Sequence, residues 1–375
     1  MPQRTVPPFR ADHVGSLLRP QRLLAARAEH DAGRLSAQEL RAVEDDAIRE
    51  AVAMQEEIGL RSVTDGEMRR RSWHMDFIYG IGGIERSDER HVRSTFRNEQ
   101  GALEFDLPMA AVTGTLTLES TVFGEDFEFL AGAVGEGTPK LTIPAPSMLH
   151  YRGGRSAIDP DVYPDIDAFW ADVASVYARE LRGLAELGCT YLQLDDVSLA
   201  YLNDPAQRAE IAGRGEDAEH LHHRYIRQVN DAITGRPAGM AVTTHMCRGN
   251  FRSSWVAEGG YDYVAEAVLG GLDVDAFFME YDDERSGGFE PLRFVAPGKL
   301  VVLGLVTTKR PALESKDELK RRIEAAARHI DIDQLCLSPQ CGFASTEEGN
   351  SLTLNEQRAK LELVVETAEE VWGSA

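Results

Sequence analysis

His245 and Cys247 stand two apart in the apolar run MAVTTHMC (240–247). On an extended strand, side chains two apart share one face, so this imidazole and this thiol point the same way. Glu280 sits near the end of AFFMEYD (276–282), and Cys341 near the end of QLCLSPQCGF (334–343). One His, one Glu and two Cys compose a tetrahedral zinc set. Taken singly, each has a plainer reading: a core histidine, a small buried hydrophobe, a barrel ion pair. Their joint placement at the ends of apolar runs favours a metal centre. The residues lie far apart in sequence, whereas structural zinc sites more often use local Cys-x-x-Cys knuckles, so the scatter points to a catalytic Zn²⁺. Cys189 and Cys336 read as core residues.

The ligand types bear on the chemistry. Water activation is the usual work of zinc held by His and carboxylates. Two thiolates place more negative charge on the metal and make it a poorer Lewis acid toward water. Softer ligands suit a substrate thiol instead, and a thiolate is a strong nucleophile toward carbon. The implied reaction is S-alkylation of a small thiol. Zinc-dependent hydrolysis and non-catalytic binding stay open as competing uses.

Eight short apolar runs ending in polar residues position these groups: 11–18, 61–67, 140–148, 190–196, 240–247, 276–282, 300–308 and 334–343. Near-continuous apolar character suits strands buried on both faces. Helical patterns lie between them, at 36–59 with a Ser36/Glu39 capping box, 167–188, 315–330 and 354–373. Strand followed by helix, repeated, implies a parallel sheet. Eight repeats imply an α/β fold of the (β/α)8 TIM barrel type, one catalytic domain over 1–375. Residues 85–135 break the rhythm with alternating stretches and a turn at NEQG (98–101). They read as an antiparallel insertion on the barrel top between strands 2 and 3.

A barrel of this kind carries its active site at the C-terminal strand ends. There the sequence places Ser16, Asp65, Glu67, Ser147, Asp195, Asp196, His245, Cys247, Glu280 and Cys341. Glu67, Asp195 and Asp196 can receive an ammonium group, as an amino-acid thiol would carry. Ser16, beside Gly15, can offer a hydroxyl and an N–H to a carboxylate, and Ser147 joins the substrate-binding set. Arg69, Arg70, Arg71, Arg248, Arg252, Lys309 and Arg310 follow strand ends and suggest an anionic substrate tail.

Composition narrows the partners. The chain has 375 residues and a formal net charge of −22, from 62 acidic and 40 basic side chains. That balance disfavours nucleic acid. No apolar run is long enough for a membrane span, and the N-terminus lacks the apolar core of a signal peptide, so a cytoplasmic location is expected. A homo-oligomer is compatible with the sequence.

The motifs HVGSLLRP, VTDGE, QLDD, THMC, the Glu of FFMEYDD and SPQCG together resemble the catalytic domain of cobalamin-independent methionine synthases, over residues 11–373. The single-domain, methionine synthase-like members are the nearest in kind. The resemblance implies a (β/α)8 barrel, zinc on His245, Cys247, Glu280 and Cys341, and homocysteine contacts from Ser16, Glu67 and Asp195. Glu67 and Asp195 are the expected catalytic pair. It implies methyl transfer from 5-methyltetrahydrofolate, or another donor, to homocysteine. Alkyl or epoxide transfer to a different thiol, as in alkyl-coenzyme M transferases, is the sister chemistry. Three departures stand out. No counterpart of the full-length enzymes' N-terminal domain is expected from the sequence. GLVTTKRP replaces the stretch bearing the family's general-acid histidine and offers Thr307 and Lys309. RGNFRSSW follows THMC in place of the usual wording.

Overall fold

The computed structural model describes residues 4–86, 91–98 and 101–375. Its strands in chain order are β1 (Ser62–Val63), β2 (Gly82–Glu85), β3 (His91–Asn98), β4 (Gly101–Pro108), β5 (Ala111–Thr117), β6 (Thr138–Pro139), β7 (Leu141–Pro144), β8 (Tyr191–Asp196), β9 (Ala241–Met246), β10 (Ala276–Glu280), β11 (Leu300–Val306) and β12 (Leu335–Pro339). Strands β7 to β12 form one six-stranded sheet in which each strand neighbours the next in sequence, every pairing parallel. Nearly every residue in these strands is buried. That explains the unbroken apolar runs: helices cover one face and strand side chains fill the other.

At one edge, β1 pairs with β6 in parallel. The Lys140 N–H extends that ladder to the Val63 carbonyl at 2.8 Å, and β6 runs on into β7. At the other edge, residues 10–12 lie along β12, with Asp12 N–H donating to Leu337 O at 3.0 Å and Leu337 N–H to Arg10 O at 2.8 Å. The expected strand at 11–18 is therefore reduced to one parallel bridge at Ala11. Its backbone turns early because the Asp12 carboxylate accepts the N–H groups of Phe9 and His13 and Gly15 adopts φ +144°. Leu17 N–H still reaches Gly66 O at 3.0 Å, and Thr64 Oγ1 donates to Gly15 O at 2.7 Å.

The expected helices form at Ala37–Glu57, Ile166–Glu186, Lys316–Ala326 and Leu354–Trp372. Ser36 and Glu39 make the reciprocal capping box, and Gly373 takes the left-handed conformation that ends the last helix. Between β1 and β6, β2 pairs with β5 and β3 with β4, both antiparallel. Glu99 and Gln100 of the expected NEQG turn lie outside the described residues. The same stretch also holds a helix, Gly124–Ala133, which the alternating pattern did not announce. The β3–β4 pair leans on the segment after β9. Arg97 and Trp255 exchange backbone hydrogen bonds of 2.7 and 2.8 Å, and the Phe105 and Phe251 rings meet edge to face at 4.4 Å. No helix among the described residues is long and apolar enough to cross a membrane.

Inside the sheet, Lys140 Nζ meets Asp12 Oδ1 at 3.1 Å with both side chains fully buried. The ammonium also donates to the His13 carbonyl and lies over the Phe278 ring at 4.1 Å, while Tyr191 donates to Asp12 Oδ2 at 2.9 Å. Removing one partner of a buried pair strands the other charge. Lys140→Met is expected to lower stability by about 3–5 kcal/mol in urea unfolding. Arg34→Ala, at an exposed pair with Glu29, should leave it almost unchanged. Equal midpoint shifts for the two variants would refute the ranking.

Candidate metal centre and adjoining cavity

His245 and Cys247 leave the end of β9 on one face, as period-two spacing requires. Glu280 closes β10, and Cys341 follows β12 by two residues. One ligand atom from each lies within 4.8 Å of the others, and all four side chains are buried. The two sulfurs are 3.5 Å apart, and His245 Nε2 lies 3.8 Å from Glu280 Oε1. These are separations that a single small ion brings into register.

Their electrostatics show why an ion fits. The contact with Cys341, reinforced by burial, pushes the Cys247 thiol well above its ordinary range. Burial raises the Glu280 carboxyl, against the pull of Lys309 and Arg248. His245 is pushed down to about 3 by burial, with the Phe278 backbone only partly offsetting it. Neither of its ring nitrogens has a well-formed hydrogen bond. A neutral imidazole with a free nitrogen lone pair, two adjoining thiols and a buried carboxyl are groups whose unfavourable burial a divalent cation relieves. His245, Cys247, Glu280 and Cys341 are the residues that would hold it.

The RGN segment after Cys247 braces this set. Arg248 N–H donates to Glu280 Oε1 at 3.2 Å, and Gly249 N–H to Cys247 Sγ at 3.3 Å. Asn250 Nδ2 donates to Gly342 O at 2.7 Å, next to Cys341. Gly249 has φ +95°, a conformation that glycine adopts without strain. The Arg248 guanidinium is spent on carbonyls of Gly259, Arg285 and Ser286.

A cavity of about 310 Å³ opens onto the cluster and is lined by Ser16, Glu67, Asp195, His245, Cys247 and Cys341, among others. Asp195 is the register partner of His245 on the neighbouring strand. Its carboxyl is pushed up to about 8, by burial first and by the Glu67 charge second. Glu67 is also raised by burial, although Arg70 and Arg19 oppose the shift. It accepts from Thr142 Oγ1 at 2.9 Å through Oε1, while Oε2 is buried without a partner. Its φ of +57° is rare for a residue with a side chain. Ser16 Oγ faces Gly342 so closely that a Cβ there would come within 1.9 Å of it.

Other expected residues go elsewhere. Asp196 accepts from Ser147 Oγ at 3.0 Å and Ser198 Oγ at 2.6 Å, and neither Asp196 nor Ser147 lines the cavity. Asp65 accepts the Glu67 N–H at 2.8 Å and shapes the turn. The seven expected cations do not converge on one place: Arg252, Lys309 and Arg310 line one groove, and the other four do not. Arg69 pairs with Asp45 and Asp126, Arg71 with Asp31 and Glu347, and Arg252 with Glu348. Arg70 lies against Glu67. Thr307 Oγ1 donates to Asp282 at 3.0 Å, and Lys309 lies 3.8 Å from the same carboxylate. Burial works to discharge Lys309, but Asp282, Glu280 and Cys341 outweigh it and raise its pKa, so it stays an ammonium and a poor proton donor at neutral pH.

Sequence reasoning missed much of the cavity wall: Trp73, His74, Phe96, Phe105, Arg152 and Phe251. These lie in loops, short turns and the β3–β4 pair rather than at strand ends. SWH (72–74), directly after the Glu67 turn, was the available signal.

Residues 154–370 match the family model described as the cobalamin-independent synthase catalytic domain. The chain belongs to the cobalamin-independent methionine synthase family. Its members are methyltransferases. Uncharacterized protein YxjG of Bacillus subtilis is 46% identical over 99% of this chain and 96% of its own length. The methionine synthase of Pyrococcus abyssi is 24% identical over 88% of this chain and 85% of its own. Among solved structures, a Listeria monocytogenes protein assigned as a vitamin-B12-independent methionine synthase superposes with a TM-score of 0.78. It is 37% identical and covers 99% of this chain and 100% of its own. A B12-independent methionine synthase from Shewanella sp. W3-18-1, in complex with selenomethionine, shares the fold at a TM-score of 0.70 and 20% identity, over 96% of this chain and 97% of its own.

Cys341→Ser should abolish stoichiometric binding of a divalent metal while the far-ultraviolet dichroism keeps its native shape. One full equivalent of tightly held metal in the purified variant, by plasma mass spectrometry, would refute the ligand assignment.

Proposed function

We propose that this family member is a zinc-dependent thiol S-methyltransferase that converts homocysteine to methionine, with 5-methyltetrahydrofolate or another molecule as methyl donor. The observation that carries the reading is the buried His245–Cys247–Glu280–Cys341 cluster opening into the same cavity as Glu67 and Asp195. Zinc bound there would supply Lewis acidity that favours the thiolate form of a substrate thiol. We read the sheet, β1, β6 and the 10–14 segment together as a (β/α)8 barrel in one domain, with 85–135 inserted over its mouth. A cytoplasmic location fits a chain of this composition.

The chain's own groups do the positioning. Glu67 and Asp195 receive the substrate ammonium, using the unpartnered Oε2 of Glu67. Ser16 offers its hydroxyl to the carboxylate. Phe96 and Phe105 from the β3–β4 pair, with Phe251, line the cavity, keeping water away from the reacting sulfur. The sulfur takes the methyl group as its bond to the donor breaks, and the thiol proton leaves to solvent or to the departing donor. Lys309, held charged beside Glu280 and Cys341, offsets negative charge there. Alkyl transfer to a sulfonate thiol uses the same metal chemistry but leaves the carboxyls without an ammonium to bind.

Metal-loaded protein incubated with homocysteine and each candidate donor should yield methionine by mass. Preference for a sulfonate thiol over homocysteine would sink the assignment. Asp195→Asn should raise the KM for homocysteine by about 10- to 100-fold, the size of a lost charge-assisted hydrogen bond, with metal content intact; an unchanged KM would exclude its amine role.

A proton signature accompanies binding. Because Asp195 titrates near 8 in the free protein, an arriving ammonium should drive a proton off it at pH 7. Calorimetry of methionine binding, whose sulfur has no proton to lose, in buffers of different ionisation heat should show proton release at pH 7, shrinking as the pH passes about 8 and lost in Asp195→Asn. Buffer-independent heats at pH 7 would contradict this.

A further inference from the structure

Two basic side chains in the cavity wall carry buried hydrogen-bond donors that nothing accepts. His74 is 4% exposed and lines the cavity together with Arg152. Ser72 Oγ accepts the Met75 N–H at 3.5 Å and lies 3.0 Å from His74 Nδ1. The Ser72 hydroxyl can donate its proton to Nδ1, and in that tautomer the ring proton sits on Nε2. Nε2 has no partner, and neither has the buried Nη1 of Arg152. Burial, and secondarily the Arg152 charge, hold His74 well below the ordinary histidine range, so the ring is a neutral donor. The groups that act electrostatically on Arg152 are Tyr201 and Tyr151, with no carboxylate among them. The cations expected near the site behave differently: Arg69, Arg71 and Arg252 all have acidic partners.

A guanidinium and an N–H together, unaccompanied by an acceptor, fit an oxyanion better than any neutral group. Aromatic rings form part of the surrounding wall, which also carries Asp106, Glu347 and Glu348. Trp73 stacks on the His74 ring at 4.3 Å and 29°, and Phe96, Phe105 and Phe251 line the same cavity. We propose that His74 and Arg152 form an anion-binding subsite that takes the carboxylate of a flat, unsaturated second substrate lodged between these rings. Naming that ligand as the methyl donor rests on the function proposed above; the subsite does not. A void of about 10 Å³ lined by the same two residues has room for at most one water, which is the competing occupant.

The test is a fluorine-19 NMR titration of metal-replete protein with 4-fluorobenzoate and its neutral isostere 4-fluorobenzamide. The benzoate should bind at least about tenfold more tightly than the amide, as expected for charge-assisted bonds. Arg152→Met should erase that difference by weakening the benzoate alone, and Arg152→Lys should keep part of it. His74→Phe, which preserves the stack on Trp73, should weaken both ligands by removing a donor. Equal affinity for the two ligands, an unchanged benzoate affinity in Arg152→Met, or no binding of either at millimolar concentration would overturn the subsite. Metal content and melting temperature of each variant separate loss of the subsite from loss of fold. Failure of methionine formation with benzoate binding intact would count against the proposed function and leave the subsite standing.

Discussion

Two buried sulfurs 3.5 Å apart set the terms for everything around them. The Cys247 thiol does not ionise readily there, because its negative charge would face the other sulfur with little water to screen it. A nearby carboxyl and an unpartnered imidazole deepen the same problem. A cation resolves it, and the fold is arranged so that one can. Three parallel strands, β9, β10 and β12, deliver the four groups at one end of the sheet, and the RGN loop ties them by backbone and side-chain bonds that none of the ligands could supply alone.

The cavity beside the cluster repeats that logic with different groups. Glu67 and Asp195 are carboxyls held above their usual range by burial, and the Glu67 charge raises Asp195 further. Such a pair is costly until a positive group arrives, at which point both become good acceptors. His74 and Arg152 present the converse, donors without acceptors. A site with unmet acceptors on one side and unmet donors on another is polarised before any ligand enters. That is what orienting a zwitterionic thiol against a second molecule requires.

Much of this was legible in sequence because strand periodicity is rigid. His-x-Cys on an apolar run fixes a shared face, and the polar ends of later runs fix Glu280 and Cys341 near it. Glu67 and Asp195 followed by the same rule. Asp196 shows the rule's limit. It adjoins Asp195 on one strand, so its side chain points to the opposite face, where Ser147 and Ser198 occupy it. The cations failed for another reason: sequence shows a charge but not the acid that a distant helix brings to it, as Asp45 and Asp126 come to Arg69. The first strand was overread because Asp12 binds local N–H groups and turns the chain. His74, Arg152 and the phenylalanine wall were missed because they sit on loops and an antiparallel pair whose course no period encodes.

The order of the ligands along the chain has one further consequence. His245, Cys247 and Glu280 are made well before Cys341, which comes after the final strand of the sheet. Chains are synthesised from the N-terminus and fold as they emerge, so an incomplete chain presents three of the four candidate ligands and an open edge at β11. The fourth arrives only when β12 docks. An ion held by all four would therefore mark a finished sheet and link the middle of the polypeptide to its end, across the seam that is sealed last.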